Sequence, residues 1–406
     1  KAEDFKFGIE RTLSEQTGSA DAPLFSAVKS ISTPDDFTIV FNLSYADDNF
    51  LYALTNPGAM PCDEEFFNLT NGKYGLDAKY LLCNGPFHVS KWTEKTSVKL
   101  AKNNEYNGES SVSPSSVTFY INNDDSEVAD KMNSVTYDVA FLSSSQFSSI
   151  ENKKDLNSVA VQNVTYSFIF NQNDNNYRNK NMRLAFCRSC DTSSLFDSQS
   201  DISKADGIVP PSCKIGGEDY RNGNAAELLS YDETLAKKNF NDALLELGSS
   251  SVETTILCTE QYEPFVKQMV QKLQKTLGVK FVSTVKVVSE SDLEAAVNDG
   301  NYSVAFYPFK AKSSFAGEII EGFDQNNIFG YESDVLSQKI RNIKNNSGSL
   351  EGERSAVADA ENYLVSEAVI MPVFYENSYF VTSKKTSGIY FYSSADNVCF
   401  INAKKS

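Results

Sequence analysis

The sequence predicts an α/β protein, and three observations carry that expectation. Strand-like runs with a period of two alternate with runs of helical periodicity along nearly the whole chain. Two stretches match one another without a gap: residues 126–141 (SEVADKMNSVTYDVAF) and residues 291–306 (SDLEAAVNDGNYSVAF). Each is preceded by an alternating run, 117–121 and 281–288, so each copy has the order strand, short helix, strand from which parallel sheets are built. Such a repeat predicts two related lobes with a cleft between them.

The elements follow in order. Residues 1–14 form a helix with Phe5, Ile9 and Leu13 on one face. Residues 28–43 (VKSISTPDDFTIVFNL) are two alternating strands around a Thr-Pro-Asp-Asp turn, hence a hairpin. A helix starts at Phe50, and Pro57 and Pro61 then break the chain. Strands are expected at 87–92 and 98–100, then the first repeat copy, then an apolar strand at 166–170 ending at Asn171 and a helix from Asn181. The segment ADGIVPP, 205–211, is a connector and a candidate domain boundary. Ser230 with Glu233, and Ser291 with Glu294, are spaced as capping boxes, and Gly248 and Gly278 close the helices at 230–247 and 264–277. Helices at 333–344 and 353–366 precede a final strand region from Met371.

The 406 residues suffice for two or three domains and a large core. Lys plus Arg number 37 against 54 Asp plus Glu, a net charge of −17. Nucleic acid and anionic membrane surfaces are therefore not expected partners, since both need basic patches to displace counterions. No run approaches the roughly 18 apolar residues of a membrane span. The chain opens without Met or a signal sequence, inside what reads as a helix, so it is expected to be processed or truncated. Seven cysteines leave an odd thiol, and Cys62 with Cys83, flanking one short segment, is the expected disulfide. Cys187 and Cys190 have CxxC spacing but no partner pair and no nearby His, so they are expected to be plain helical cysteines.

Six motifs, in order, then carry a resemblance covering nearly all of the chain: KAEDFKFGIERTL, TPDDFTIVFNL, CNGPFHVSKW, KNNEYNGES, YSFIFNQNDNNYRNKNMRLAF with Arg183 and Ala185, and SYDETLAKKNFNDALLELG. They resemble the family-5 extracellular solute-binding proteins, the dipeptide, oligopeptide and nickel receptors of ABC importers. The resemblance implies an α/β, bilobal, type II periplasmic-binding-protein-like clamshell with two mixed-sheet lobes and part of an accessory domain. Residues 1–84 would be that partial accessory domain, 85–205 plus 386–406 the first lobe, and 206–385 the second. It further implies a longer N-terminal segment than is present here, and ligand contacts from the loops after the repeat strands. Those contacts would come from Leu142, Ser143 and Ser144 in the first, Tyr307, Phe309, Lys310, Ser313 and Ser314 in the second, and Asn171.

One departure bears on the ligand. Peptide-binding members carry an Asp in the second loop that pairs with the ligand's amino terminus. From Gly300 to Phe323 this chain has no Asp, while Lys310 and Lys312 stand in the loop. A buried ammonium without a carboxylate is costly, so an anionic, N-blocked or neutral ligand is expected.

Catalytic signatures are absent. His88 is the only histidine, on a strand after Gly-Pro, which leaves one candidate base for any triad, and no nucleotide-binding glycine motif occurs. No cofactor, no metal and no catalytic residue is expected. The reading is a monomeric, non-enzymatic extracellular receptor, lipid-anchored outside a bacterial membrane, passing a peptide or related small solute to an ABC permease. The alternative is a receptor-derived sensor or surface-binding protein with the same fold and no transport role.

Overall fold

A computed structural model describes the chain except residues 46–49, 122–124, 193–195, 197–200, 312–314, 326, 347 and 393–396. The chain divides into two compact units, one of residues 1–131, 384–390 and 398–406, the other of residues 132–383 and 391–397.

In the first unit, α1 (Ala2–Leu13) carries Glu3 and Asp4 in its first turn and Arg11 in its last, charges that suit the helix dipole. Its buried stripe is Ala2, Ile9 and Thr12, so the face is rotated from the expected one and Phe5 is exposed. The rotation follows from Gly8, where a Cβ would lie 2.3 Å from the Met60 carbonyl oxygen; only glycine admits that approach. β1 (Val28–Asp35) and β2 (Thr38–Leu43) form the expected hairpin. Its turn is held by Asp35, whose carboxylate accepts the Phe37 N–H at 2.9 Å. Short helices α2 (Phe50–Ala53) and α3 (Glu64–Leu69) follow, α3 capped by the Asp63 carboxylate. β3 (Phe87–Thr93), β4 (Ser97–Lys102) and β5 (Ser116–Tyr120) make an antiparallel sheet.

The second unit is built on a seven-stranded mixed sheet. After α4 (Asp125–Asn133) come β6 (Val139–Ser143), α5 (Ser144–Ser148) and the fifteen-residue β7 (Leu156–Phe170). α6 (Asn175–Arg178) and α7 (Lys180–Ser189) lead to β8 (Ile202–Lys204) and a small hairpin of β9 (Lys214–Ile215) and β10 (Glu218–Asp219). Then α8 (Glu233–Leu247), β11 (Val252–Cys258), α9 (Glu263–Leu277), β12 (Phe281–Val287), α10 (Glu290–Asn298) and β13 (Val304–Lys310) alternate as expected. α11 (Gly317–Glu321), α12 (Asp334–Asn345), α13 (Leu350–Ser366) and the fourteen-residue β14 (Ile370–Ser383) complete it. The chain ends in short strands, β15 (Thr386–Ser387), β16 (Tyr390–Tyr392), β17 (Asn397–Cys399) and β18 (Lys404–Lys405), paired β15 with β18 and β16 with β17.

The sheet order is β12-β11-β13-β7-β14-β6, with β8 beside β14. β11 is parallel to β12 and β13, whereas β13, β7, β14 and β6 pair antiparallel. One face buries an aromatic cluster, Tyr166, Phe168, Phe170, Phe306 and Phe374, against α7, α8 and α9. The other buries Ile169, Ala305 and Ile370 with residues of α11, α12 and α13. α7 is locked by Arg183, 3% exposed, whose guanidinium donates to the carbonyls of Tyr177, Arg178, Glu367 and Ala368 at 2.8–3.0 Å.

Several expectations are corrected. The second repeat copy is a parallel unit, β12-α10-β13, lying either side of β11. The first is not: β5 belongs to the three-stranded sheet and β6 pairs antiparallel with β14. Sequence periodicity fixes strand and helix but not the partner of a strand, and here the partners differ. The caps also shift. Asp232, not Ser230, caps α8, and Ser289, not Ser291, caps α10, each accepting the backbone N–H three residues on. The 205–211 connector is not an exposed linker. Ala205, Ile208 and Val209 are fully buried, and Glu361 accepts the Val209 N–H at 2.9 Å.

Candidate ligand-binding site

The strand register concentrates the repeat ends at one place. β13 runs along β7 from Val304, opposite Phe170, to Lys310, opposite Val164, and Val164 in turn faces Glu376 on β14. β6 runs along the other edge of β14 from Val139, opposite Thr382, to Ser143, opposite Ser378. The two strands therefore advance from opposite ends, and their carboxyl ends converge on residues 376–378 of β14, where its pairing with β7 is interrupted by a bulge. Side chains there are re-aimed by the irregularity, and loops leave the sheet from both sides. Carboxyl strand ends meeting where the chain direction reverses are the general location of ligand sites in open α/β sheets.

The expected site residues separate into groups. Ser143 caps α5, its hydroxyl accepting the Gln146 N–H and its own N–H donating to the Gln146 side chain at 2.8 Å. Ser144 Oγ donates to the Asn377 carbonyl at 2.6 Å, tying the β6 end to the middle of β14. Leu142 is fully buried beneath them. Lys310 Nζ lies 5.8 Å from the centre of the Phe141 ring, so the ends of the two repeat strands, β13 and β6, meet through a cation–π contact. Tyr307 and Phe309 alternate onto the opposite face of β13. There the Phe309 ring stacks on Phe323, and Tyr307 meets Phe309 edge-on. Asn171 is remote, seven residues along β7 from Val164, about 23 Å at strand rise. It donates to the carbonyls of Gly300 and Tyr302 at 2.8 and 2.7 Å, and its Oδ1 accepts the Asn173 N–H. Ser313 and Ser314, and with them Lys312, lie outside the described residues.

Sequence reasoning missed the groups at the centre. Glu376 is partly buried; its Oε1 accepts from the Tyr262 hydroxyl at 2.7 Å and from the Gln261 amide at 3.2 Å. Burial holds its carboxyl above the usual range; the two hydrogen bonds pull the other way, and the charges of Asp201 and Glu290 raise it further. Tyr166, 4.4 Å from Tyr262 between ring centres, closes the aromatic side. Asp201 accepts from the Tyr379 hydroxyl at 3.0 Å, and Tyr379 stacks on Phe147 at 4.0 Å. One signal was available: Glu376 is the only charged residue in the fourteen of β14. A lone carboxylate in an interior strand has to have a partner or a use.

Cys62 and Cys83 are free thiols, so the expected disulfide is not formed; Arg11 instead donates to Cys62 Sγ at 3.6 Å. Cys187, on α7, and Cys190, at its carboxyl end, are buried thiols, and burial pushes Cys187 up to about 12. They border a cavity of about 190 Å³ with Lys204, Tyr231 and Met371. His88 is an exposed residue of β3. Among the described residues no group of three or more His, Cys, Asp or Glu is arranged to hold a metal, and no helix is long and apolar enough to cross a membrane.

Known proteins share this fold. The chain is 22% identical over 411 aligned positions to the dipeptide-binding protein DppE of Bacillus subtilis (strain 168), covering 96% of this chain and 75% of that protein. The substrate-binding domain of an oligopeptide ABC transporter from Bacillus anthracis str. Ames has the same fold, with a TM-score of 0.79 at 18% identity over 100% of this chain and 84% of that one. So does Listeria monocytogenes OppA bound to peptide, with a TM-score of 0.77 at 21% identity and the same coverages. Residues 1–329 match the bacterial extracellular solute-binding proteins, family 5 Middle, and the chain belongs to that family.

Proposed function

We propose that this protein is the substrate-binding receptor of an ABC importer, taking up a peptide or related small solute and handing it to a membrane permease without changing it chemically. Family membership supports this reading, as do the names of the relatives, a dipeptide-binding protein and a peptide-bound receptor. The single observation that carries it furthest is the convergence of β6 and β13 on the middle of β14. In this reading residues 85–205 and 386–406 form the first lobe of a bilobal receptor, 206–385 the second, and 1–84 an accessory domain. Ser143, Ser144, Tyr307, Phe309, Lys310, Ser313 and Ser314 contact the solute, Leu142 supports Ser143 and Ser144 from beneath, and Asn171 fixes the start of β13 from a distance. The receptor works as a monomer held to the outer face of the membrane by a lipid anchor, and closure of the lobes around the solute is the shape the permease recognises.

Thermal denaturation in the presence of di- to hexapeptide mixtures tests the reading. A ligand present at a hundred times its Kd adds about 2.7 kcal/mol, which raises the melting temperature by several degrees. A panel of peptides and oligosaccharides at millimolar concentration that leaves the melting temperature unmoved rules the receptor reading out.

A further inference from the structure

Cys187 and Cys190 stand three residues apart, with no second cysteine pair and no histidine near them along the chain. The fold adds what chain order withholds. Both are free, buried thiols at the carboxyl end of α7. Both border the cavity of about 190 Å³, and Met371 of β14 borders it with them. Met371 also packs against the apolar cluster that buries the two cysteines. Two thiols and a thioether therefore line one chamber. Much of the remaining wall is aliphatic, from Leu229, Val365, Ile370 and Val373. Lys204, Ser230 and Tyr231 border it too and are exposed, so the chamber reaches the surface.

Donor softness selects what such a chamber would hold. Thiolate and thioether sulfur favour soft cations, Cu(I) foremost, and leave Mg²⁺, Ca²⁺ and Mn²⁺ to oxygen sites. A structural Zn²⁺ takes four ligands, more than the sulfurs supply. Asp191 adds a carboxylate to the wall. Yet among the described residues no group of three or more His, Cys, Asp or Glu is arranged to hold a metal. The ligand that joins the two cysteines is therefore the thioether. The cysteines are close neighbours: burial first, and then Cys187, push the Cys190 thiol up. Binding transfers no electron. Each thiol releases its proton to solvent, and each sulfur gives an electron pair to the metal. A monovalent cation between two thiolates leaves one negative charge, which is costly in an apolar wall unless it is offset. Lys204 forms no ion pair among the described residues, and its ammonium is available at the chamber to offset that charge.

We propose that Cys187, Cys190 and Met371 form a binding site for a soft monovalent cation, Cu(I), with Lys204 balancing its charge. The site lies at the start of β14, apart from residues 376–378 where the solute is placed, and it stands independently of the receptor reading.

The test uses the full chain, reduced and under argon, with Cu(I) buffered by the chelator bathocuproine disulfonate so that only a tighter site fills. The wild type is expected to take up a single Cu(I), with X-ray absorption showing sulfur alone around the metal and excess Zn²⁺ failing to displace it. Cys62→Ser with Cys83→Ser, which removes two thiols elsewhere, is expected to keep the uptake. Cys187→Ala with Cys190→Ala is expected to lose it. Met371→Leu, a volume-conserving change, is expected to weaken it at least about 10-fold, the lower end of what altering residues merely around a metal site costs. Melting temperatures of the metal-free variants separate lost binding from lost folding. Should the double alanine variant not fold, Met371→Leu and the sulfur shell of the wild type decide. No uptake by the wild type, oxygen or nitrogen in the metal's shell, displacement by Zn²⁺, or undiminished affinity in Met371→Leu overturns the site.

Discussion

Asn171 shows what one side chain in a sequence motif does. All its polar capacity is committed: two N–H donors to the carbonyls of Gly300 and Tyr302, and an acceptor to the Asn173 N–H. It thereby fixes the chain just before β13 enters the sheet, and the strand that ends in Lys310 starts from that point. Asn171→Ala leaves two carbonyls without their donor and is expected to cost about 2–3 kcal/mol. Scanning calorimetry should show a melting temperature several degrees lower while peptide affinity changes little; an unchanged melting temperature contradicts the assignment. That Asn171 ends an apolar strand was visible in the sequence. Its distance from Glu376 was not, because nothing in the residues around either position states the register of β7 against β14.

Among elements, the connection at 205–221 depends most on a single pair. Arg221 and Glu361 form an ion pair whose side chains are 8% and 1% exposed, and Glu361 also accepts from the Tyr220 hydroxyl and the Val209 N–H. α13 thus holds the irregular segment against the sheet. The segment's proline and glycine marked it as a connector in the sequence, and they do report irregular backbone. Whether irregular backbone is exposed depends on what offers it hydrogen bonds, and here α13 does. Glu361→Ala strands a buried guanidinium and is expected to lower unfolding stability by about 3–5 kcal/mol. Urea denaturation measures it, and a stability within about 0.5 kcal/mol of the wild type would contradict the role given to the pair. The helix caps carry a similar lesson. Ser289 and Ser291, like Ser230 and Asp232, are two residues apart and both chemically able to cap; where the preceding segment leaves the backbone decides which one does.

For the whole molecule, the dominant electrostatic fact is a net charge of −17 on 406 residues. Among the described residues most ion pairs are exposed, such as Lys238 with Asp242 and Lys237 with Glu233, and pairs of that kind contribute little. Self-repulsion therefore outweighs pairwise attraction, and screening it should stabilise the fold. Raising NaCl from about 20 mM to about 300 mM, which shortens the screening length from roughly 20 Å to below 10 Å, is expected to raise the melting temperature of the unliganded protein. A fall would mean that the exposed pairs matter more than their geometry indicates.

The sequence by itself determined the α/β class, the order of helices and strands, the repeated strands and the family, because these rest on local periodicity and on motifs whose order along the chain is enough. It ended the repeat strands at Phe141 and Phe306, whereas β13 runs on to Lys310, whose ammonium the structure sets over the Phe141 ring, and Phe306 is buried in the aromatic core. Only the tertiary structure decided which strands are neighbours: β6 and β13 approach from opposite ends of β14, the first repeat copy is divided between two sheets, and Glu376 stands where the ends meet. Pairing between segments so far apart in the chain is set by which faces must be buried together. A carboxylate acquires its meaning from neighbours the local sequence does not contain.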